Sequence, residues 1–194
     1  MSITLSTAPP VCPVTIDEVK EQRVIEHNDD DVLLGGFIEA ATEYVEHRTG
    51  LNFVQRTWDY KVSSFTSEIE LPFNPVQSVS ITYTDKTLSP EIQTVSTDVY
   101  EVDTGVYPPV VRLKYGQSWP SYTSVKNGIT LQVVAGYAPL GSPENYRGNI
   151  PELVKTAIKI LVGGMDVARE SKSDLQFYDT DIVDGLLQSI RVYK

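Results

Sequence analysis

The sequence predicts an α+β protein, in which helical segments at the two ends form a small bundle and an antiparallel β domain is inserted between them. Two observations predict this class. Both ends carry apolar residues at spacings of three and four, which is typical of amphipathic helices. The middle carries apolar and polar residues in alternation, which is typical of half-buried strands. The predicted parts are residues 1–51, helical; 52–148, the inserted β domain; and 149–194, C-terminal helices and a tail that pack with 1–51.

The N-terminal segment contains signals for two helices. Thr15 and Glu18 have the spacing of a capping box, which predicts a helix over about 15–23. A second helix is predicted to end at Gly50, because glycine often follows the last helical turn. Its apolar stripe is Leu34, Phe37, Ile38, Ala41, Tyr44 and Val45.

A glycine pair, Gly35-Gly36, lies inside the predicted second helix. Each glycine costs about 1 kcal/mol relative to alanine in a helix interior. The pair indicates either the close approach of another helix or subunit, or a loosely wound first turn.

In the middle of the chain, apolar and polar residues alternate, whereas in the end segments apolar residues recur every three to four positions. Asn127-Gly128 is a tight-turn signal directly before one alternating run, and prolines separate several of the others. A small antiparallel domain with one buried face is therefore expected. Its predicted strands lie around 58–62, 69–71, 79–83, 99–102, 110–113 and 129–133.

The C-terminal part is predicted to be helical again. Pro151 suits the first turn of a helix, because the hydrogen that proline lacks has no partner there. A short amphipathic segment at 182–190 precedes a basic end. The two end segments offer only two main stripes, and such a thin core is often completed by neighbouring subunits. The stripe of the longer C-terminal helix is Val154, Ala157, Ile158, Leu161, Met165 and Ala168.

The charge balance argues against DNA binding through phosphates. The 194 residues include 16 lysines and arginines and 26 acidic residues, giving a net charge of −10. Proteins that grip DNA gain affinity by displacing counterions with basic side chains. No apolar run reaches the roughly 18–20 residues of a membrane helix, and the N-terminus lacks the features of a signal peptide.

The sequence contains no recognisable catalytic, cofactor or metal motif. Glycine-rich phosphate loops, a nucleophile elbow and paired zinc-binding histidines are all missing. His27 suits a solvated helix cap, and His47 suits a helix surface. Cys12 has no neighbour that would lower its pKa enough for a nucleophile. We therefore predict no enzyme, no cofactor and no metal.

An aromatic segment, residues 114–120, stands out in the β domain. Tyr115 and Trp119 flank a glycine and precede a proline. Two interpretations are open: an exposed recognition loop, or two rings that cover the end of the β core. We favour the second.

Several runs along the chain together resemble the head–tail connector (adaptor, or head-completion) proteins of tailed bacteriophages. Their order and spacing carry the resemblance over nearly the whole chain, and no single run is diagnostic. The runs are residues 13–20, 27–30, 40–50, 55–58, 71–79, 115–120, 134–137, 150–158 and 191–193.

The resemblance implies a structural protein of the virion neck, assembled in the host cytoplasm. Such proteins form a ring, usually dodecameric, that binds the portal protein, extends the DNA channel and carries the next neck or tail protein, with no membrane partner. DNA passes through the channel without specific binding. The expected portal-binding tail is Ile190, Arg191, Val192, Tyr193 and Lys194, and the candidate channel-lining residues are Glu39, Glu43 and Glu46.

The aromatic middle leaves an alternative function. The chain is then a monomeric, β-rich binding module of a tail or cell-surface assembly, which recognises a carbohydrate or a receptor. In that case Trp119 or Tyr122 contacts the ligand.

Overall fold

The structure is a computed structural model that describes residues 1–86, 91–122, 126–141, 145–170 and 178–192. It divides into two compact units. A β unit consists of Met1–Pro9 and Gln55–Tyr137, and a helical unit consists of Pro10–Val54 and the described residues between Ala138 and Val192. Helices and antiparallel sheets occur together, which confirms the predicted α+β class.

Four helices of the described residues build the helical unit. They are α1 (Ile16–Arg23), α2 (Asp31–Thr49), α3 (Glu152–Glu170) and α4 (Tyr178–Leu187). The helix α2 contacts the other three, and α3 also contacts α1 and α4. The helices from the two ends of the chain therefore share one core. Its buried apolar residues include Val19, Leu34, Ile38, Ala41, Val45, Val154, Ala157, Ile158, Leu161, Val183 and Leu187.

The first helix begins as the sequence predicts. The Glu18 N–H donates to Thr15 Oγ1 at 3.1 Å, and the Thr15 N–H donates to Glu18 Oε2 at 2.7 Å. This reciprocal capping box satisfies two amide groups that the helix itself leaves unpaired. Val14 and Val19, which flank the cap, are each 1% exposed.

The second helix ends where the sequence predicts, but two residues of its predicted core stripe are not buried. Gly50, at φ 73°, ends it, and its N–H donates to the Glu46 carbonyl at 2.9 Å. Phe37 is only half-buried and Tyr44 is exposed, so these two do not belong to the core stripe. The helix carries apolar residues on two sides, only one of which is covered by the chain itself.

The β unit contains two antiparallel sheets. The strand order is β1-β2-β8-β4-β5 in the five-stranded sheet and β3-β7-β6 in the three-stranded sheet. A shared apolar core includes Leu71, Ile81, Val111 and Leu131, which are all fully buried. The strands are β1 (Ser2–Thr7), β2 (Arg56–Val62), β3 (Glu68–Glu70), β4 (Val76–Thr84), β5 (Ile92–Thr94), β6 (Tyr100–Asp103), β7 (Val110–Leu113) and β8 (Ile129–Ala135).

The structure corrects the predicted boundaries. The first nine residues do not belong to the helical segment 1–51, because β1 pairs with β2 and places Ile3 opposite Tyr60. Residues 138–141 and 145–148 belong to the helical unit and not to the β domain 52–148. The edge strands β1 and β5 escaped prediction because most of their side chains are exposed and leave little alternation to read.

No helix among the described residues is both long enough and apolar enough to cross a bilayer.

We predict that Thr15→Ala destabilises the helical unit by about 1 kcal/mol, because the Glu18 N–H loses its acceptor. Denaturant unfolding followed by circular dichroism measures this change. Thr156→Ala, at an exposed position in the second turn of α3, is the control and should not destabilise the unit, because alanine is the better helix former. Equal effects of the two substitutions would contradict the role of the cap.

Candidate functional surfaces

The C-terminal segment is held against the end of α2. The Val192 N–H donates to the Thr49 carbonyl at 3.0 Å, and the Arg191 N–H donates to the Leu187 carbonyl at 2.9 Å. Ile190 and Val192 are half-buried, and Arg191 is exposed. The expected portal-binding tail is therefore attached to the bundle up to Val192, whereas Tyr193 and Lys194 lie outside the described residues.

An ion pair fixes α4 to α2 beside this segment. Arg48 forms a bidentate pair with Asp184: its Nε donates to Asp184 Oδ1 at 2.8 Å, and its Nη2 donates to Asp184 Oδ2. The hydrogen bond from Arg48 lowers the pKa of Asp184, and the charges of Arg48 and Arg191 lower it further. The same pair raises the pKa of Arg48. Because the partners are 136 positions apart in sequence, no local sequence pattern could predict this contact.

A cavity of about 230 Å³ opens between the ion pair and the tail. Arg48, Asp184, Gln188 and Arg191 are among its lining residues. It is open to solvent, has both charged and apolar groups in its wall, and lies adjacent to the described end of the chain. This surface can therefore receive polar or acidic groups of a partner that also contacts the tail.

The glutamates proposed for the channel form one row along α2, at spacings of four and three. Glu39 and Glu43 are exposed. Glu46 is half-buried, and its Oε1 accepts a hydrogen bond from the Phe53 N–H at 2.9 Å. Glu46 therefore also supports the turn that follows the helix. The surrounding segment Pro10–Val54 holds ten acidic and three basic side chains, so most of the negative charge of its unit lies here.

Cys12 lies next to the same helix. Burial raises the pKa of its thiol, and the negative charge of Glu39 raises it further. Arg147 Nε donates to the Cys12 carbonyl at 2.8 Å and so fixes the backbone there. A raised pKa leaves little thiolate, which is the opposite of what a nucleophile needs.

The two histidines are both exposed. Within the described residues, no group of three or more His, Cys, Asp or Glu side chains is arranged to hold a metal ion.

The aromatic rings of this region lie in two different environments, one packed and one exposed. Trp119 stacks on Phe65 with ring centroids 4.5 Å apart, and its Nε1 donates to the Thr66 carbonyl at 2.9 Å. Tyr122 packs perpendicular to the same Phe65 ring, with the ring centroids 5.1 Å apart. Tyr115, by contrast, is fully exposed. The prediction that both rings cover the β core is therefore right for Trp119 and wrong for Tyr115.

These contacts weaken the alternative of a ligand-binding β module. Trp119 and Tyr122, the residues assigned to a ligand in that case, pack against the β core.

We predict that Asp184→Asn loosens the tail, because a neutral amide forms a weaker pair with Arg48. Amide exchange of Val192 should become severalfold faster, while exchange in β8 stays unchanged. Because the pair lowers the pKa of Asp184, its stabilisation is present at neutral pH and is lost as the pH falls through the acidic range. In the parent chain, the protection of the Val192 amide should therefore decrease as the pH falls through the acidic range. The Asp184→Asn variant should lack this decrease. Exchange at Val192 that is identical in the two proteins would contradict the anchoring role.

We predict that Trp119→Ala destabilises the β unit by about 2 kcal/mol, because the contacts of the indole ring with Phe65 and the β core are lost. Tyr115→Ala is the matched control and should change the free energy of unfolding by less than about 0.5 kcal/mol. Thermal denaturation of both variants measures the difference. A Trp119→Ala protein of unchanged stability would favour an exposed binding role for this ring.

Comparisons with known proteins agree with the resemblance seen in the sequence. No curated protein matches the chain significantly in sequence. Three solved structures share its fold at 16% identity, and each match covers 100% of this chain and 97% of the other. They are the neck of an empty gene transfer agent (GTA) particle computed with C6 symmetry (TM-score 0.77), the virion of a native GTA particle (0.77), and the neck of a native GTA particle computed with C12 symmetry (0.72).

A family model matches part of the chain directly. It describes the phage gp6-like head-tail connector proteins, and the match extends from residue 13 to residue 100. This stretch includes α1, α2 and the strands β2 to β5. The resemblance to head–tail connector proteins is thereby confirmed over residues 13–100, and the fold of the whole chain is that of proteins in the neck and virion of gene transfer agent particles.

Proposed function

We propose that the chain is a structural protein of the phage neck, a ring-forming adaptor that joins the portal to the tail or to the next neck component. One observation carries the proposal: the chain matches structures of a particle neck over its full length, and residues 13–100 match the head-tail connector model. Its place is accordingly the virion neck, following assembly in the host cytoplasm. It acts without enzymatic activity, cofactor or membrane partner.

A ring of copies suits the helical unit. The bundle is thin, and α2 presents apolar side chains on a side that its own chain leaves exposed. Two of the similar neck structures were computed with sixfold and twelvefold symmetry, so copies repeat around an axis in those particles. A dodecamer of this chain follows that arrangement.

The acidic side of the helical unit suits a DNA channel. Twelve copies at −10 each would carry a charge of about −120. A negative wall repels phosphates, so DNA can pass without specific binding. Glu39, Glu43 and Glu46 remain our proposed channel-lining residues, with Glu46 doubling as a partner of the Phe53 amide.

The C-terminal segment suits attachment to the portal. Arg191 lines the cavity formed around Arg48, and the next residue, Val192, donates its N–H to the Thr49 carbonyl. A short segment anchored at one end can order on a partner surface at a lower entropic cost than a free chain. The opposite end of the ring would receive the downstream neck or tail protein.

We predict that deleting residues 191–194 weakens binding to the portal protein of the same phage about tenfold or more, while the fold stays intact. Surface-based binding measurements, with circular dichroism on the same samples, test this. Arg112→Ala, which removes an exposed arginine of the β unit, is the control for the loss of a positive charge. Unchanged portal binding by the truncated chain would overturn the assignment of the tail.

A further inference from the structure

The helix α2 has three distinct sides. One side is buried in the bundle through Leu34, Ile38, Ala41 and Val45. At 3.6 residues per turn, the glutamate row lies roughly 135° around the axis from that side. The third side lies about 110° from both and is apolar although exposed. We call it the outer stripe of α2; it consists of Leu33, Gly36, Phe37, Ala40 and Tyr44.

The outer stripe of α2 is too apolar for a surface that only meets water. Leu33 is 38% exposed and Tyr44 is 39% exposed, and they lie about 16 Å apart along the helix. Between them, Ala40 is exposed and Phe37 is half-buried. Contiguous exposed apolar surface of this kind is typical of an interaction site.

Gly36 adds an independent observation at the border between this stripe and the glutamate row. A Cβ atom built on it meets nothing within 4 Å, so the fold of the single chain does not require glycine there. Alanine would be the better helix former at this position. A helix of another molecule that approaches closely would account for the glycine, since small residues allow helix axes to come near each other.

A second apolar stripe lies on α3. Leu153 and Val167 are each 40% exposed, and Ile160 and Gly164 are half-buried between them. With the exposed Thr156, these five residues lie on one side of α3 at spacings of three and four, over about 21 Å. We call this the outer stripe of α3. It is about 5 Å longer than the outer stripe of α2 and can therefore span that stripe from end to end.

Neither outer stripe is covered by the described part of the chain, since α2 and α3 use other sides to pack on each other. The two differ in the charges that accompany them. The glutamate row accompanies the stripe of α2. Beside the stripe of α3, Lys155 already pairs with Glu152 at 2.7 Å, which leaves Lys159 as the basic side chain there that forms no ion pair within the described residues. The two apolar surfaces, and the charge of Lys159 with the glutamate row, are therefore complementary.

We propose that the outer stripe of α2 packs against the outer stripe of α3 in a second copy of this chain. The inference rests on the proposed ring and identifies the surfaces that build it. Because the two surfaces differ, the contact is head-to-tail, and repeating it closes a ring when the rotation allows. The glutamate row then borders each interface and is free to face the axis.

One test uses glycine substitutions. Gly36→Ala should raise the thermal unfolding midpoint of the monomer and weaken self-association about tenfold or more, because the added methyl group holds the neighbouring helix away. Gly185→Ala is the matched control: it lies in α4, and its added Cβ also meets nothing within 4 Å. It should raise the midpoint without changing association measured by native mass spectrometry. A Gly36→Ala protein that associates like the parent chain would overturn the proposal.

A second test distinguishes the contact from other ring geometries. In a Cys12→Ser background at millimolar concentration, a chain carrying both Ala40→Cys and Thr156→Cys should give a ladder of disulfide-linked oligomers on oxidation. Each single variant should give none, because a head-to-tail contact never brings a residue against its own copy. A control pair, Val106→Cys with Thr156→Cys, should remain monomeric.

The outcomes separate this inference from the proposed function. Rings seen by native mass spectrometry without the ladder would overturn the choice of surfaces and leave the adaptor role standing. Disulfide-linked dimers of a single-cysteine variant would indicate a symmetric contact and would overturn the head-to-tail one. A chain that shows neither oligomers nor a ladder under these conditions overturns the inference, and its absence from the neck of purified particles would overturn the adaptor role itself.

Discussion

The burial of one side of α2 is the constraint on which the helical unit depends. Leu34, Ile38, Ala41 and Val45 form its core, and α1, α3 and α4 all pack against this helix. The helices that follow the β unit in sequence thereby complete the core begun by the helices that precede it. Because one side of α2 is committed to this core, its remaining surface is available for the acidic row and the outer stripe.

A second set of contacts links the end of the chain to this core. The Arg48–Asp184 pair and the bond between the Val192 amide and the Thr49 carbonyl hold the last described residues against the end of α2. A partner that pulls on the tail therefore acts on the helix that is proposed to form the ring. Portal attachment and ring formation would in this way share one structural element.

Local sequence patterns predicted the elements whose causes are local. The Thr15–Glu18 capping box, the end of α2 at Gly50 and the alternation of β2, β4 and β8 are each contained in a few consecutive residues. The edge strand β1 was missed because an exposed strand needs no alternating pattern. The position of Tyr44 was misjudged because periodicity shows that residues share a side of a helix, but not which side faces the core.

The candidate surfaces were harder to predict for the same reason. The tail and the glutamate row entered through a family resemblance and the charge of the chain. The Arg48–Asp184 pair joins residues that only the folded chain brings together. The outer stripes depend on what the fold leaves uncovered, and Gly36 was visible in the sequence without its open surroundings.

Cryo-electron microscopy of purified particles, with the chain carrying an added density label, tests the central claim most directly. The account predicts a collar of labelled copies around the axis directly below the portal, with α2 of each copy meeting α3 of the next. Labelled density that is absent from the neck, or that occurs as single copies away from the axis, would contradict it.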